Sequence, residues 1–237
     1  VNTTIPAKGS PLPSGDDKTA AVRQMFDAIA GRYDLVNRLM TFGMDQGWRS
    51  RAIDSLSVTR GATVLDLACG TGDMARELQA RGVTAIGADL SFGMLAAAPH
   101  PFARLQCDSV ALALADGSVE GITCGFALRN FTDLTATLSE LARVLSPGGR
   151  IALLDVAEPP NALMRLGHSV YFNRVVPVVG GLLSDRDAYA YLPRSVAYLP
   201  PTDELLALVH AAGFGQITRT LLTGGIAQLI SAERNPG

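Results

Sequence analysis

The chain is short of several residue types, and each shortage excludes something. Lysine occurs only at Lys8 and Lys18, so basic charge is carried almost wholly by arginine, which reads as compositional bias. With 20 basic against 22 acidic residues and no basic run, the footprint of a nucleic-acid binder is missing. The three cysteines, at 69, 107 and 124, show no CxxC spacing, which suits a reducing compartment better than a disulfide frame. Histidines 100, 168 and 210 form no HExxH pattern and no cluster with cysteine, so no metal site is expected. The most apolar window, Val175 to Leu183, is about half a membrane span. No continuous apolar stretch follows Lys8, so no signal peptide is expected. A soluble, cytoplasmic protein is the expectation.

What is present is a core. Apolar residues make up 48% and charged residues 18% of 237, enough for one sizeable globular domain. Residues 1–18, rich in Pro, Gly, Ser and Thr, read as a mobile tail ahead of a single domain over 19–237. Val22, Met25, Phe26, Ile29 and Tyr33 recur at helical spacing, with Gly31 allowing one helix or two. Residues 19–60 are expected to form helices outside the sheet, as a lid. From residue 63 short apolar runs alternate with helical patterns, the signature of an α/β fold with a mostly parallel sheet covered on both faces. Strands are expected at 63–68, 84–88, 102–106, 121–125 and 150–155, with 215–222 and 225–232 as a closing antiparallel pair. Helices are expected at about 73–80, 92–97, 132–145 and 203–212. Residues 156–201 break the alternation and read as an inserted helical segment.

The chemistry centres on Val64-Leu-Asp-Leu-Ala-Cys-Gly-Thr-Gly-Asp73, a buried strand, a sharp glycine turn and a helix start. Its letters fit the dinucleotide fingerprint, with Asp89 as the ribose acid, so a NAD-dependent oxidoreductase is one reading. Asp66 within the strand and Asp73 after the turn place negative charge where a pyrophosphate would lie. That favours a cationic, phosphate-free nucleoside, S-adenosyl-L-methionine. Asp89 ends the second strand and could accept the ribose hydroxyls; Asp108, ending the third, could accept the adenine amino group. Leu90, Met94 and Ala127 could offer the ring apolar faces. Each acid has a plainer alternative: Asp89 as a helix cap, Asp108 as a turn residue, Asp66 as a buried carboxylate satisfied by turn amides.

Wider stretches carry a resemblance. They are Met25-Phe-Asp-Ala-Ile-Ala30, Tyr33-Asp-Leu-Val-Asn37, Leu39-Met-Thr-Phe-Gly43 with Trp48-Arg49, and the glycine turn. Phe126-Ala-Leu-Arg-Asn130, Pro147-Gly-Gly-Arg150, Tyr189-Ala-Tyr-Leu-Pro193 with Ser195, Ala212-Gly-Phe214 and Leu222-Thr-Gly-Gly-Ile226 complete them. Together they resemble the ubiquinone/menaquinone biosynthesis C-methyltransferase family (UbiE/MenG type), whose fold is the Rossmann-like class I methyltransferase fold with a seven-stranded sheet. The glycine turn is shared by many methyltransferases; the Tyr-Asp-x-x-Asn and Leu-Arg-Asn elements are specific to this family.

The resemblance implies methyl transfer from S-adenosyl-L-methionine to a prenylated quinol such as demethylmenaquinol. The alternative acceptor is another small aromatic or polyketide-like molecule. Donor-side residues would be Asp66, Ala68, Gly70, Thr71, Gly72, Asp89, Leu90, Met94, Asp108, Ser109 and Gly125, the last where the family commonly has Ser. At the reacting atoms would stand Arg129, Asn130 and Tyr33. A guanidinium at the phenol oxygen favours phenolate, which makes the adjacent ring carbon nucleophilic; such charge-assisted hydrogen bonds are worth roughly 1.5–3 kcal/mol. Tyr33 and Asp34 are candidate proton relays. Phe26, Ile29, Tyr33 and Trp48 would form the lid, and Met164 through Tyr171 to Leu183 an apolar groove for the tail. Partners are thus a lipophilic aromatic acceptor, no nucleic acid, transient contact with the inner face of a membrane, and a second copy as homodimer. Arg38, Asp45, Ala127 and Leu154-Asp-Val-Ala-Glu158 depart from the usual residues, all near the acceptor side.

Overall fold

The computed structural model describes residues 14–171, 174 and 194–236. Seven strands form one sheet: β1 Thr63–Leu67, β2 Thr84–Asp89, β3 Ala103–Gln106, β4 Val119–Gly125, β5 Leu145–Val156, β6 Phe214–Leu222 and β7 Ala227–Arg234. Their order is β3-β2-β1-β4-β5-β7-β6. The first five pair in parallel, and β7 runs antiparallel to both β5 and β6. Strand order reverses between β1 and β4, and in such sheets ligands bind beyond the carboxyl ends at that crevice. The registers align Leu67 with Ala88 and Cys124, and Asp89 with Gln106, so these strand ends share one rim.

Both faces of β1 are covered, because Val64 and Leu65 point to opposite sides and each is fully buried. On one side α6 (Leu134–Val144) and α8 (Thr202–Ala211) bury Leu138, Leu141, Leu205 and Val209 against Leu65, Ile122 and Phe214. On the other, α3 (Met44–Leu56) and α4 (Asp73–Ala80) bury Trp48, Ile53, Leu56, Met74 and Leu78 against Val64, Ala152 and Leu154. The third helix therefore belongs to the sheet's own layer, although the sequence suggested a lid over all of 19–60. Trp48 sits in that layer, donating its indole N–H to Thr223 Oγ1 at 2.9 Å.

The separate cap is made of α1 (Gly15–Ile29), a 3-10 turn at Ala30–Arg32 and α2 (Tyr33–Met40). Its small core is Val22, Met25, Ile29 and Val36. The expected tail is too long by four residues, since Gly15 to Lys18 are the first turn of α1. Lys18 is held there by two groups: its ammonium donates to the Phe131 carbonyl at 2.7 Å and lies 3.8 Å from the Tyr198 ring centroid. After β5, α7 (Ala162–Val170) runs without a buried residue. The inserted segment's stretches at 172–173 and 175–193 lie outside the described residues, and with them the far half of the expected tail groove.

Candidate active site

The glycine turn closes on backbone geometry that few side chains tolerate. Ala68, Gly70 and Gly72 have φ of +53°, +56° and +86°. Asp89 braces the turn from β2: one carboxylate oxygen accepts the Gly70 amide and the other the Ser91 amide, each at 2.8 Å. Burial pushes the Asp89 carboxyl up, and those amides pull it back. A β-carbon on Gly70 would stand 3.0 Å from Met94 Cε at the cleft wall.

Two expected donor residues do not line the cleft. A β-carbon on Gly72 would lie 2.3 Å from Phe102 Cε1, so close packing beneath the turn, rather than ligand approach, requires this glycine. Asp66 is buried behind the turn, where it accepts from the Thr123 hydroxyl at 2.9 Å and the Ala75 amide at 3.1 Å. Burial pushes its pKa up to about 7. It secures β1 to β4 and to the start of α4.

The remaining donor candidates come together. Ala68, Gly70, Thr71, Asp89, Leu90, Met94, Asp108, Ser109 and Gly125 line one cleft at the strand ends, joined by Tyr33, Asp34 and Asn130. Asp108 is half-buried there, its Oδ1 taking the Val110 amide at 3.3 Å, and Ser109 shares a 2.9 Å hydrogen bond with Thr137. The cap reaches down to the turn: the Thr71 hydroxyl donates to Asp34 at 2.6 Å, and Arg38 pairs with Asp73 at 3.3 Å. Burial raises the Asp34 pKa, with the Thr71 hydrogen bond opposing. Asn130 is buried, and its side-chain oxygen has no hydrogen-bond partner. An unpartnered acceptor beside three carboxylates suits a ligand rich in N–H and O–H donors and carrying positive charge. It does not suit a pyrophosphate.

A second cavity, of about 390 Å³, opens beside the cleft and is walled mainly by Met40, Phe42, Met44, Trp48, Val156, Met164, Tyr171 and Ile226. Tyr171 reaches across from α7, donating its hydroxyl to the Met40 carbonyl at 2.7 Å. Arg129 lies on this wall, but its guanidinium is already engaged: Nη1 donates to Asp155 and Nε to Ser195 at 3.1 Å. The sequence suggested a guanidinium reserved for an acceptor oxygen; the one at Arg129 is instead neutralised by a fully buried carboxylate. Tyr33, Arg49 and Phe126 line both spaces and mark their junction. Phe126 holds φ of +61°, another strand-end residue in the left-handed region. Arg49 and Phe126 received no role from sequence; the only signals were the Trp-Arg pair in a stretch expected to be helical and an aromatic just after β4.

Comparisons with known proteins follow the same lines. A profile of the ubiE/COQ5 methyltransferase family matches residues 14–233. The chain is 44% identical over 220 residues to a demethylmenaquinone methyltransferase of Thermus thermophilus, covering 89% of this chain and all of that one. It is 39% identical over 230 residues to the ubiquinone/menaquinone biosynthesis C-methyltransferase UbiE of Geobacter sulfurreducens, covering 92% and 90%. Among solved structures, phosphoethanolamine N-methyltransferase 2 of Haemonchus contortus in complex with S-adenosyl-L-methionine superposes with a TM-score of 0.60 at 14% identity. That match covers 79% of this chain and 52% of that one, and it speaks to the fold.

Proposed function

The chain belongs to the ubiE/COQ5 methyltransferase family, and from that premise we propose that it C-methylates a prenylated quinol, demethylmenaquinol, using S-adenosyl-L-methionine. The carrying observation is a carboxylate-lined cleft that meets a large apolar cavity across three shared side chains. The donor supplies an electrophilic methyl group on a sulfonium. Asp89, fixed by two turn amides, would hold the ribose hydroxyls, with Asp108 and Ser109 on the adenine side. Thr71, Asp34 and the open backbone at Gly70 would hold the amino-acid end. Leu90 and Met94 would flank the base, and the Asn130 oxygen would take a donor N–H or the acceptor's hydroxyl.

The ring of the acceptor fits the apolar cavity, where burial contributes about 0.8 kcal/mol per methylene of the attached tail. Placing a ring carbon in line with the methyl group is the main acceleration such a site can provide. Tyr33 stands at the junction and can relay the quinol proton. Arg129 and Asp155 act as one rigid neutral unit of the wall, so Arg129→Ala would disturb acceptor binding through a stranded Asp155.

The cavity mouth also suggests how a lipid-borne acceptor arrives. Leu35, Leu39 and Phe42 of the α2 segment and Leu163, Leu166 and Val170 of α7 are exposed on two elements whose Asn37, Met40, Met164 and Gly167 line the cavity. We propose that this face rests on a membrane surface. No helix among the described residues is long and apolar enough to cross one. The homodimer is to be read by light scattering of the purified chain.

The test is incubation with methyl-labelled S-adenosyl-L-methionine and a prenyl-naphthoquinol, with mass spectrometry of the lipid product. A gain of one methyl group on ring carbon is expected. Donor binding by calorimetry without any methylated product would redirect the search to other aromatic acceptors, and binding of NAD in place of the donor would overturn the reading.

A further inference from the structure

Arg49 stands where cleft and cavity meet, on the inner face of α3. Its Nη1 would lie 3.3 Å from a β-carbon at Gly125, so the glycine leaves room for the guanidinium. The guanidinium carbon is 5.2 Å from the Phe126 ring centroid. Its acidic neighbour, Asp45, lies 3.6 Å from Nε, beyond hydrogen-bond distance, and already accepts from Thr41 at 2.6 Å. Nε of Arg49 is buried with no hydrogen-bond partner. Arg129 presents the opposite case, with Nη1 and Nε both engaged and its charge matched by Asp155.

We propose that Arg49, rather than Arg129, is the guanidinium that binds the acceptor's ring oxygen as its anion. This rests on the quinol C-methyltransferase reading above. The quinol hydroxyl loses its proton to water, with Tyr33 as the relay, and the oxygen's electron pair spreads onto the adjacent ring carbon. That carbon's pair forms the new bond to the methyl group while the carbon–sulfur pair stays with sulfur. The ring C–H proton then leaves to water and aromaticity returns, so no oxidant or reductant is needed. An imperfectly matched cation here serves twice. It favours the anionic acceptor, and its repulsion with the sulfonium disappears as the methyl leaves. Tyr33, whose hydroxyl is pushed up by burial and pulled down chiefly by Arg49, shares the same field.

The experiment titrates 1-naphthol bound to the full chain, reading naphtholate by absorbance, with donor affinity measured separately by calorimetry. Binding to the unmodified protein is expected to lower the naphthol pKa by about one unit or more. Arg49→Met should abolish that shift without weakening donor binding, since it removes a cation that repels the sulfonium, and Arg49→Lys should keep part of the shift. Asp45→Asn, which removes the nearby carboxylate, should lower the naphthol pKa further. The proposal is overturned if Arg49→Met leaves the shift in place, or if the unmodified protein shows none. Should Arg49→Met fail to fold by circular dichroism, Asp45→Asn decides: an unchanged or raised pKa overturns it. Failure of the methylation assay with a normal naphthol shift would instead strike the acceptor assignment and leave Arg49's anion binding standing.

Discussion

Asp66 carries a carboxyl that the fold prefers protonated. Its pKa rises by burial from an ordinary 3.8 to about 7, despite donors from Thr123 and Ala75. The folded state thus binds a proton more tightly than the unfolded chain, and stability falls as pH rises from about 4 to about 7. The slope is at most about 1.4 kcal/mol per pH unit from this group. Asp66→Asn can keep both contacts, its amide donating to the Thr123 hydroxyl and its oxygen accepting from Ala75. The variant should show a flatter melting-temperature profile between pH 5 and pH 7 by circular dichroism; an unchanged slope would exclude Asp66 as the source. Asp66 and Asp89 are one letter in the sequence, and both reside in strands beside the same turn. What separates them is depth: Asp89 ends its strand at the rim, whereas Asp66 is followed by another strand residue and faces Thr123 across β4. Spacing located both carboxylates, but the partners of Asp66 come from α4 and β4, elements brought close only by folding. Arg49 was illegible for a similar reason, because its importance lies in Gly125 and Phe126 arriving beside it from 76 residues and more away.

At the scale of elements, α2 is the shared wall of the site. Tyr33 and Asp34 face the cleft, while Tyr33, Asn37 and Met40 face the cavity, successive turns of one short helix. Two bonds seat it on the glycine turn, Asp34 with Thr71 and Arg38 with Asp73. The first is part-buried and lies at the cleft, whereas Arg38 is partly open to water, where such pairs are worth about 0–1 kcal/mol. Asp34→Ala should therefore weaken donor binding by calorimetry and speed amide exchange across α2, and Arg38→Ala should do much less. Equal effects would mean that the helix is held by packing alone. Strands and helices of the sheet were legible as apolar runs between Gly and Asp punctuation, with bounds close to those observed. β5 was cut short at its start because Ser146-Pro-Gly-Gly149 reads as a turn, yet Leu145 pairs with Val119 across a register shift. The lid reading overreached at α3, because a helix ahead of a sheet carries no mark of which layer it will join.

On the whole molecule, the proposed membrane-resting face of α2 and α7 would make delivery of the acceptor a property of shape. Changing Leu35 and Leu39 together to Glu, both exposed and outside either space, should abolish flotation with anionic lipid vesicles. It should cut turnover of a long-tailed quinol in those vesicles while sparing a short-tailed quinol in solution. Equal loss on both acceptors would place these residues inside the reaction rather than at a surface. The alternating pattern made the doubly covered sheet legible, and the reversal of strand order follows from the same connections.

The grip on Lys18 has a consequence for how the protein is made. The helix that bears it precedes the whole sheet in sequence, but its two anchors are Phe131 and Tyr198. Synthesis runs from the N-terminal side, so this lysine cannot find both anchors until residue 198 has cleared the ribosome. The central sheet waits longer still, since β7, which lies between β5 and β6, follows both of them in sequence. Long-range closures of this kind are slow to find. The cap is thus translated ahead of the sheet, yet both anchors of Lys18 lie more than a hundred residues further along the chain.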